Sequence, residues 1–239
     1  MDVLFASNAG MSRIRARAYI AECRAGNSQF SVVDIGGAAD PWSGADCFVD
    51  FHPVEGHETI TGDIHDPAVW REIAARKFHF CVCSHLLEDI RDPLFVLGKI
   101  RDTFAHGYIA VPNKHVEFGY IESRHYVGYG HHRWIYTLVG DDLRVVAKLP
   151  LASYFSPWND LVLRLRSYLP SLGRSDRATA HMRNAGPLRW RNSVLGAPGN
   201  ELAFAWKGAL KFHAINADYS GATSHELARL YREELAIGL

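Results

Sequence analysis

The feature that most constrains the fold of this chain is residues 30–41, with the sequence FSVVDIGGAADP. An apolar stretch of the kind found in β-strands ends at Asp34, and Gly36 and Gly37 follow almost at once. Glycine has no Cβ, so a turn built on it lets the backbone come into contact with a ligand. A strand that runs into such a turn is typical of α/β folds that bind ligands at the ends of their strands.

Acidic and small polar residues recur where the next predicted strands end. Strand 47–49 is followed by Asp50, Asp63 lies in the sequence ITGDIHD, and strand 78–83 is followed by Ser84 and His85. The carboxyl ends of parallel strands meet at one edge of a sheet. We therefore expect these residues to line a single site.

Predicted strands and helices alternate through the first half of the chain. Helices are predicted at 11–24, 67–76 and 92–104, and strands near 30–34, 47–50, 78–83 and 107–111. This order predicts an α/β fold, a Rossmann-like, mostly parallel sheet with helices on both faces. After residue 113, the segments 134–138 and 143–149 alternate like antiparallel strands, 204–215 reads as a second antiparallel pair, and 225–235 reads as a helix.

Five short motifs follow one another along the chain: DIGGA at 34–38, the acid Asp50, GDI at 62–64, CSHLLEDI with a later DP at 83–93, and GYIAVPN at 107–113. Together they resemble the ordered motifs of class I S-adenosylmethionine-dependent methyltransferases. The resemblance implies S-adenosyl-L-methionine as the cofactor and a cofactor-binding core over residues 1–113. Residues 114–239 are then expected to continue the sheet and add an antiparallel and helical substrate-binding elaboration, within one compact domain.

The spacing of these residues distinguishes the pattern from that of NAD-binding proteins. A dinucleotide-binding unit has G-x-G-x-x-G and an acid about 20 residues further on. Here Ala38 follows the two glycines and Asp50 comes sooner. This argues against NAD, while Ala38 leaves open the alternative of an inactive cofactor site.

The resemblance implies a role in cofactor binding for seven residues: Asp34, Gly36, Gly37, Asp50, Asp63, Ile64 and Ser84. The backbone of the glycine turn is expected near the carboxylate end of the methyl donor. A carboxylate only accepts hydrogen bonds, so Asp50 suits the two ribose hydroxyls and Asp63 the adenine amino group. A turn or capping role is the alternative for both acids.

Transfer of a methyl group to a hydroxyl requires removal of a proton, and histidine is the natural base near neutral pH. His85 follows the strand that is expected to end at the methyl donor, so topology favours it. His131 and His132 are the other candidate bases. The predicted substrate-binding residues are His115, Arg133 and Trp134, which lie in a segment rich in histidine and aromatic residues.

A divalent-metal site is an alternative use of histidines and acids in this part of the chain. The residues that could contribute are Glu88, Asp89, Glu117, Glu122, His125, His131 and His132. Adjacent side chains point in opposite directions along a strand. We therefore expect His131 and His132 not to share an ion, and we predict no metal.

Charge is distributed unevenly along the chain. The formal net charge is zero and there is no base-reading motif, which argues against nucleic acid as a partner. The segment 164–191 contains seven arginines and the single acid Asp176. It reads either as a surface helix packed on the sheet or as a site for an anionic partner, such as phosphate, an acidic glycan or lipid head groups at a membrane surface.

The N-terminus and the apolar runs predict a cytoplasmic protein. MDVLFASNAG has no basic region of the kind that begins a signal peptide, and no apolar run approaches the ~18 residues of a membrane span. The four cysteines are scattered without a zinc-type second pair, so we interpret them as reduced, buried thiols.

The acceptor is suggested by a second, narrower resemblance. CSHLLEDIRDP, PN, GHHRW and AFAWKG together resemble a bacterial methyltransferase group associated with surface-polysaccharide biosynthesis. This implies O-methyl transfer to a hydroxyl of a glycan or nucleotide-sugar acceptor. A small-molecule or lipid-precursor methyltransferase and a catalytically inactive binding module with this fold remain the alternatives.

Overall fold

The computed structural model describes residues 1–7, 12–117, 128–148 and 201–215. The strands in these ranges are β1 (Asp2–Ser7), β2 (Val32–Ile35), β3 (Cys47–Asp50), β4 (Thr59–Thr61), β5 (Phe80–Ser84), β6 (His106–Pro112), β7 (Trp134–Val139), β8 (Asp142–Ala147), β9 (Glu201–Lys207) and β10 (Phe212–Ala214). The helices are α1 (Ser12–Gly26), α2 (Pro67–Arg76), α3 (Pro93–Thr103) and the short α4 (Lys114–Glu117).

Seven of the strands form one sheet in the order β1-β9-β6-β5-β2-β3-β4. Strands β2 to β6 pair in parallel with their neighbours, whereas β9 is antiparallel to both β6 and β1. A second, three-stranded sheet has the order β10-β8-β7, with β7 and β8 antiparallel as predicted. The predicted α/β architecture with a mostly parallel sheet is confirmed.

Both faces of the large sheet are covered, because successive side chains of each strand point to opposite faces. Val32 packs with Ala16 and Ile20 of α1 on one face. Val33 belongs to the cluster on the other face, which includes the buried side chains of α2 and α3 and those of the second sheet. Helices on both faces were predicted, and the prediction is confirmed. None of the described helices has the length and apolar character needed to cross a bilayer.

Aspartate caps and prolines set the starts of two helices close to where the sequence predicted them. The side chain of Asp66 accepts from the Ala68 N–H at 2.7 Å, and Pro67 occupies the first turn of α2. Asp92 accepts from the Phe95 N–H at 3.0 Å at the start of α3. Each cap satisfies a backbone donor that the helix itself leaves unpaired, and proline has no N–H to leave unpaired there.

The prediction of an antiparallel pair within 204–215 was wrong. Strand β9 lies in the large sheet between β6 and β1, and β10 pairs in parallel with β8 in the second sheet. Residues 202–206 are all buried, so β9 is covered on both faces, whereas a strand of an exposed hairpin alternates between buried and exposed residues. Strands β1 and β4 were not predicted at all.

Several other predictions lie outside the described residues or stay open. The helix at 225–235 and the arginine-rich segment 164–191 are outside the described ranges. The division into 1–113 and 114–239 stays a prediction. The cysteines are free thiols, with Cys47, Cys81 and Cys83 buried and Cys23 partly exposed.

A pair of glycine substitutions tests the packing of β9 against the parallel strands. A Cβ at Gly107 in β6 would overlap the ring of Trp206 in β9, whereas a Cβ at Gly98 in α3 meets no atom within 4 Å. We expect Gly107→Ala to lower the free energy of unfolding by about 1–3 kcal/mol through overpacking. Gly98→Ala should raise it by about 0.5–1 kcal/mol, because alanine favours helix. Urea unfolding of both variants checks this, and an unchanged Gly107→Ala midpoint would contradict the packing.

Candidate functional site

The strand order reverses between β2 and β5. From β2 the sheet continues through β3 and β4 in one direction, and from β5 it continues through β6 in the other. Open α/β sheets bind ligands in the crevice outside the carboxyl ends of the strands at such a point. The residues at this crevice are the glycine turn after β2 and the segment after β5 that begins with His85.

Both glycines of the turn after β2 are required by the space around them. Gly36 has φ of 81°, a conformation that favours glycine, and its N–H donates to the Val49 carbonyl at 2.8 Å. A Cβ at Gly36 would lie 2.9 Å from Leu86, and one at Gly37 would overlap the carboxylate of Asp34. The turn is therefore packed closely against the neighbouring strand ends.

Asp34 is enclosed by this turn. Its Oδ2 accepts from the Trp42 N–H at 2.9 Å, and its Oδ1 is buried with no hydrogen-bond partner among the described residues. Burial raises the pKa of Asp34 to about 6, because the charged form loses its hydration. The contact with Trp42 shows that Asp34 shapes the loop that follows the glycines, and its predicted role in cofactor binding stays a prediction.

Asp50 lies at the end of β3, beside the glycine turn. Its Oδ2 accepts from the Ala38 N–H at 3.1 Å, and its Oδ1 accepts from the Phe51 N–H at 2.7 Å. A carboxylate can accept about four hydrogen bonds, so Asp50 retains capacity for further donors. Phe51, which sequence reasoning did not select, is 61 % exposed and offers an aromatic surface next to this carboxylate.

Asp63 lies after β4, one strand further from the switch point. It accepts from the His65 N–H at 2.8 Å and pairs with His65 Nδ1 at 2.9 Å, contacts that lower the pKa of Asp63. Ile64 is buried, and its carbonyl accepts from Trp70 Nε1 at 2.7 Å. The exposed side of the Asp63 carboxylate is the part of this loop that can meet a ligand.

His85 does not have the properties of the predicted base. Its Nε2 lies 2.8 Å from Glu201 Oε1 and its Nδ1 lies 3.1 Å from Glu88 Oε1. These two hydrogen bonds, that to Glu201 first, raise the pKa of His85 to about 10. The ring is therefore an imidazolium at neutral pH and has no lone pair with which to take a proton. Ser84, next to it, has a buried Oγ with no partner among the described residues.

His131 and His132 converge, contrary to the expectation that they point apart. They lie in a turn before β7, where the alternation of a strand does not apply. Their ring centroids are 4.5 Å apart, and the Nε2 atom of each lies 3.9 Å from Asp89 Oδ1. The Arg133 N–H donates to the Glu88 carbonyl at 2.7 Å, which fixes this turn against the segment after β5.

A buried carboxylate orients His132. Glu117 Oε1 lies 2.6 Å from His132 Nδ1, and its Oε2 accepts from Lys148 Nζ at 2.6 Å. Glycine at position 128 leaves the space for this pair, because a Cβ there would lie 2.6 Å from both Glu117 Oε2 and Lys148 Nζ. Glu117, Lys148 and Gly128 together hold the His132 ring with its Nε2 directed towards Asp89.

The structure describes the side chains of two of the remaining predicted substrate-binding residues, Arg133 and Trp134. The Trp134 indole donates to the Ile90 carbonyl at 2.9 Å, so its polar group is already used inside the protein. Arg133 is exposed beside the histidine turn. The His115 side chain and the predicted metal ligands Glu122 and His125 lie outside the described residues.

The sequence analysis did not identify two residues that hold the histidine side chains in place, Glu201 beside His85 and Lys148 beside Glu117. Glu201 is 116 residues from His85, and Lys148 is 31 residues from Glu117. No local pattern marks either residue. Phe51 was also missed, but it could have been found from the sequence, because it is an aromatic residue directly after the strand-end acid Asp50.

Solved structures resemble this chain at low identity. The EvdMO1 structure matches 47 % of this chain at 16 % identity and a TM-score of 0.31, and the matched part spans 30 % of that protein's length. Its N-terminal domain with SAH bound matches 84 % of this chain and 82 % of its own at 11 % identity and a TM-score of 0.37. The plantazolicin methyltransferase BpumL in complex with SAH matches 83 % and 86 % at 12 % identity and a TM-score of 0.36. No protein-family profile and no curated protein sequence matches the chain.

The ion pairs of His85 predict a pH dependence of stability. The folded protein raises the pKa of His85 from 6.5 to about 10, so the stabilisation is complete below about pH 6.5 and is lost as the pH rises through about 10. Because 49 % of the side chain is exposed, solvent screens the pairs, and we expect an effect of about 1 kcal/mol. His85→Asn provides the comparison, since asparagine tolerates the left-handed φ of 53°.

Denaturant unfolding at several pH values measures the difference between the native chain and His85→Asn. The difference should be largest near pH 6 and should shrink towards pH 10. A constant difference across this range would show that His85 is not held as a cation.

Proposed function

We propose that the chain is an S-adenosylmethionine-dependent methyltransferase that transfers a methyl group to an oxygen acceptor. The observation that carries the proposal is the arrangement at the switch point. A glycine turn, a strand-end aspartate and a loop aspartate follow three adjacent parallel strands, β2, β3 and β4. The ordered motifs of the sequence support the same function.

The spacing of these strand ends suits a nucleoside. Neighbouring strands lie about 4.8 Å apart, so the glycine turn and the loop after β4 are separated by roughly 10 Å. In the proposed complex the donor's carboxylate end lies at the Gly36 turn, the ribose hydroxyls donate to Asp50, and the adenine lies towards Asp63. The exposed ring of Phe51 offers a stacking surface along this line.

The reaction is an in-line displacement. The acceptor oxygen attacks the methyl carbon, the bond between that carbon and sulfur breaks, and the electron pair stays on sulfur as a neutral thioether. The acceptor oxygen loses its proton. Positioning supplies much of the rate of such a step. His85, as an imidazolium, cannot accept the proton. The two other bases predicted from the sequence, His131 and His132, remain candidates to receive it, and water is the alternative proton acceptor.

The acceptor is proposed to be a hydroxyl of a glycan or nucleotide sugar. Support comes from the resemblance of the CSHLLEDIRDP, GHHRW and AFAWKG segments to methyltransferases of surface-polysaccharide biosynthesis. A small-molecule or lipid-precursor acceptor would use the same donor site. An inactive binding module would bind neither S-adenosylmethionine nor S-adenosylhomocysteine, and calorimetry with both ligands separates it from an enzyme.

The role of Asp50 is tested by comparing two ligands. If Asp50 accepts from the ribose, Asp50→Ala loses charge-assisted hydrogen bonds worth about 1.5–3 kcal/mol each, and S-adenosylhomocysteine should bind at least ten-fold more weakly. The analogue that lacks the 2′-hydroxyl should lose less, because one of these bonds is already missing. Calorimetry of both ligands with both proteins measures the difference.

The control for this experiment separates ribose binding from support of the turn. Asp50 also accepts from the Ala38 N–H, so a loosened turn would weaken both ligands by the same factor. Equal losses would remove Asp50 from the ribose site. Glu55→Ala, an exposed acid in the loop after β3, should leave both affinities unchanged.

A further inference from the structure

Three side chains outside the proposed donor site converge on one point. Asp89 follows β5, and His131 and His132 precede β7. One ligand atom from each residue lies within 4.8 Å of the other two. Two imidazoles and a carboxylate are the donor types that bind divalent transition metals in proteins.

The distances within the cluster suit a cation more than direct hydrogen bonds. Each histidine Nε2 stands 3.9 Å from Asp89 Oδ1, beyond hydrogen-bond range. Donor atoms that surround one ion at about 2.0–2.2 Å from it stand roughly 3–3.5 Å apart. A small rotation of the two exposed side chains would close the remaining gap.

The contacts of Glu117 fix the tautomer of His132 in the form that can bind a metal ion through Nε2. Glu117 accepts from Lys148 through one oxygen and faces His132 Nδ1 through the other, so Nδ1 carries the hydrogen. In this tautomer Nε2 carries the lone pair, and Nε2 is the ring atom that approaches Asp89. A carboxylate on the far nitrogen of a metal-binding histidine is the usual means by which proteins fix the ring and raise its basicity.

The backbone around the cluster is also fixed. The Arg133 N–H donates to Glu88 O at 2.7 Å, and the Lys148 N–H donates to Arg133 O at 2.8 Å. The histidine turn is thereby tied both to the segment after β5 and to the end of β8. A site held in this way binds an ion without a large cost in ordering.

We infer that Asp89, His131 and His132 bind one divalent transition-metal ion of the Mn²⁺, Co²⁺ or Zn²⁺ class. Three protein ligands leave coordination positions open, and His131 and Asp89 are 59 % and 42 % exposed, so these positions face solvent. Given the proposed function, the open positions take the acceptor oxygen. A bound ion lowers the pKa of such a hydroxyl and orients it, so its proton passes to water without a protein base.

Titration of the chelator-treated chain, residues 1–239, with Co²⁺ tests the site. Visible absorption should show one saturable Co²⁺ per chain, and the ring signals of His131 and His132 should broaden in NMR spectra. His131→Ala and Asp89→Asn should weaken binding at least ten-fold. Glu117→Gln should weaken it about ten-fold or more through the orientation of His132.

The matched control is His213→Ala. His213 is an exposed histidine 2.8 Å from Asp142, a histidine–carboxylate pair without a second histidine, so its removal should leave Co²⁺ binding unchanged. Absence of saturable binding overturns the site, as does an equal loss in the control and cluster variants. If the buried His132 cannot be replaced without unfolding, the exposed His131 still decides the outcome.

Binding of S-adenosylhomocysteine to the same samples separates this inference from the proposed function. A chain that binds the nucleoside but not Co²⁺ would lack the ion site and keep the donor site. A chain that binds Co²⁺ but not the nucleoside would keep the ion site and contradict the methyltransferase proposal. Asp89→Asn should not change the affinity for the nucleoside.

Discussion

Strand β9 joins distant parts of the described chain into one sheet. It pairs with β6 over seven residues from His106 to Pro112 and with β1 on its other edge. Because its residues 202–206 are buried, it contributes apolar area to the core on both faces of the sheet. Its antiparallel direction also brings its first residue, Glu201, to the edge where the parallel strands end. The candidate site therefore depends on this strand for both its support and one of its charges.

The charges at that edge follow from the cost of burying acids. Glu88 and Glu117 are both buried, and a buried carboxylate needs a cation or hydrogen bonds. Lys148 pairs with Glu117, and His85 lies between Glu88 and Glu201. Among the described residues, Asp89 has only the 3.9 Å approach of two histidines. The Asp89 carboxylate, which is 42 % exposed, is therefore open to a further cation.

The proposed donor and acceptor regions lie on opposite sides of the switch point. The glycine turn and Asp50 belong to the half of the sheet formed by β2, β3 and β4. Asp89 and the histidine turn lie beyond β5, against the second sheet. A methyl group held between the two halves would face the acceptor side. In the proposed function, donor binding therefore depends on local motifs, and acceptor binding depends on contacts between distant segments.

Local features of the sequence predicted β2, β3, β5, β6 and the three longer helices, but not β1 or β4. They also predicted the capped helix starts and the glycine turn, because each of these depends on residues a few positions apart. The prediction of a hairpin at 204–215 was wrong, because an apolar sequence does not specify the strands with which it pairs. Strand β9 pairs with strands of the large sheet, and β10 pairs with β8 in the second sheet. The role assigned to His85 changed for the same reason, since Glu201 reaches it only through the folded sheet. His131 and His132 converge because they lie in a turn whose shape is set by Glu88, Glu117 and Lys148. The sequence determined the periodicity of each segment and the polar residues at the ends of its strands and helices. Only tertiary packing decided which charged side chains meet.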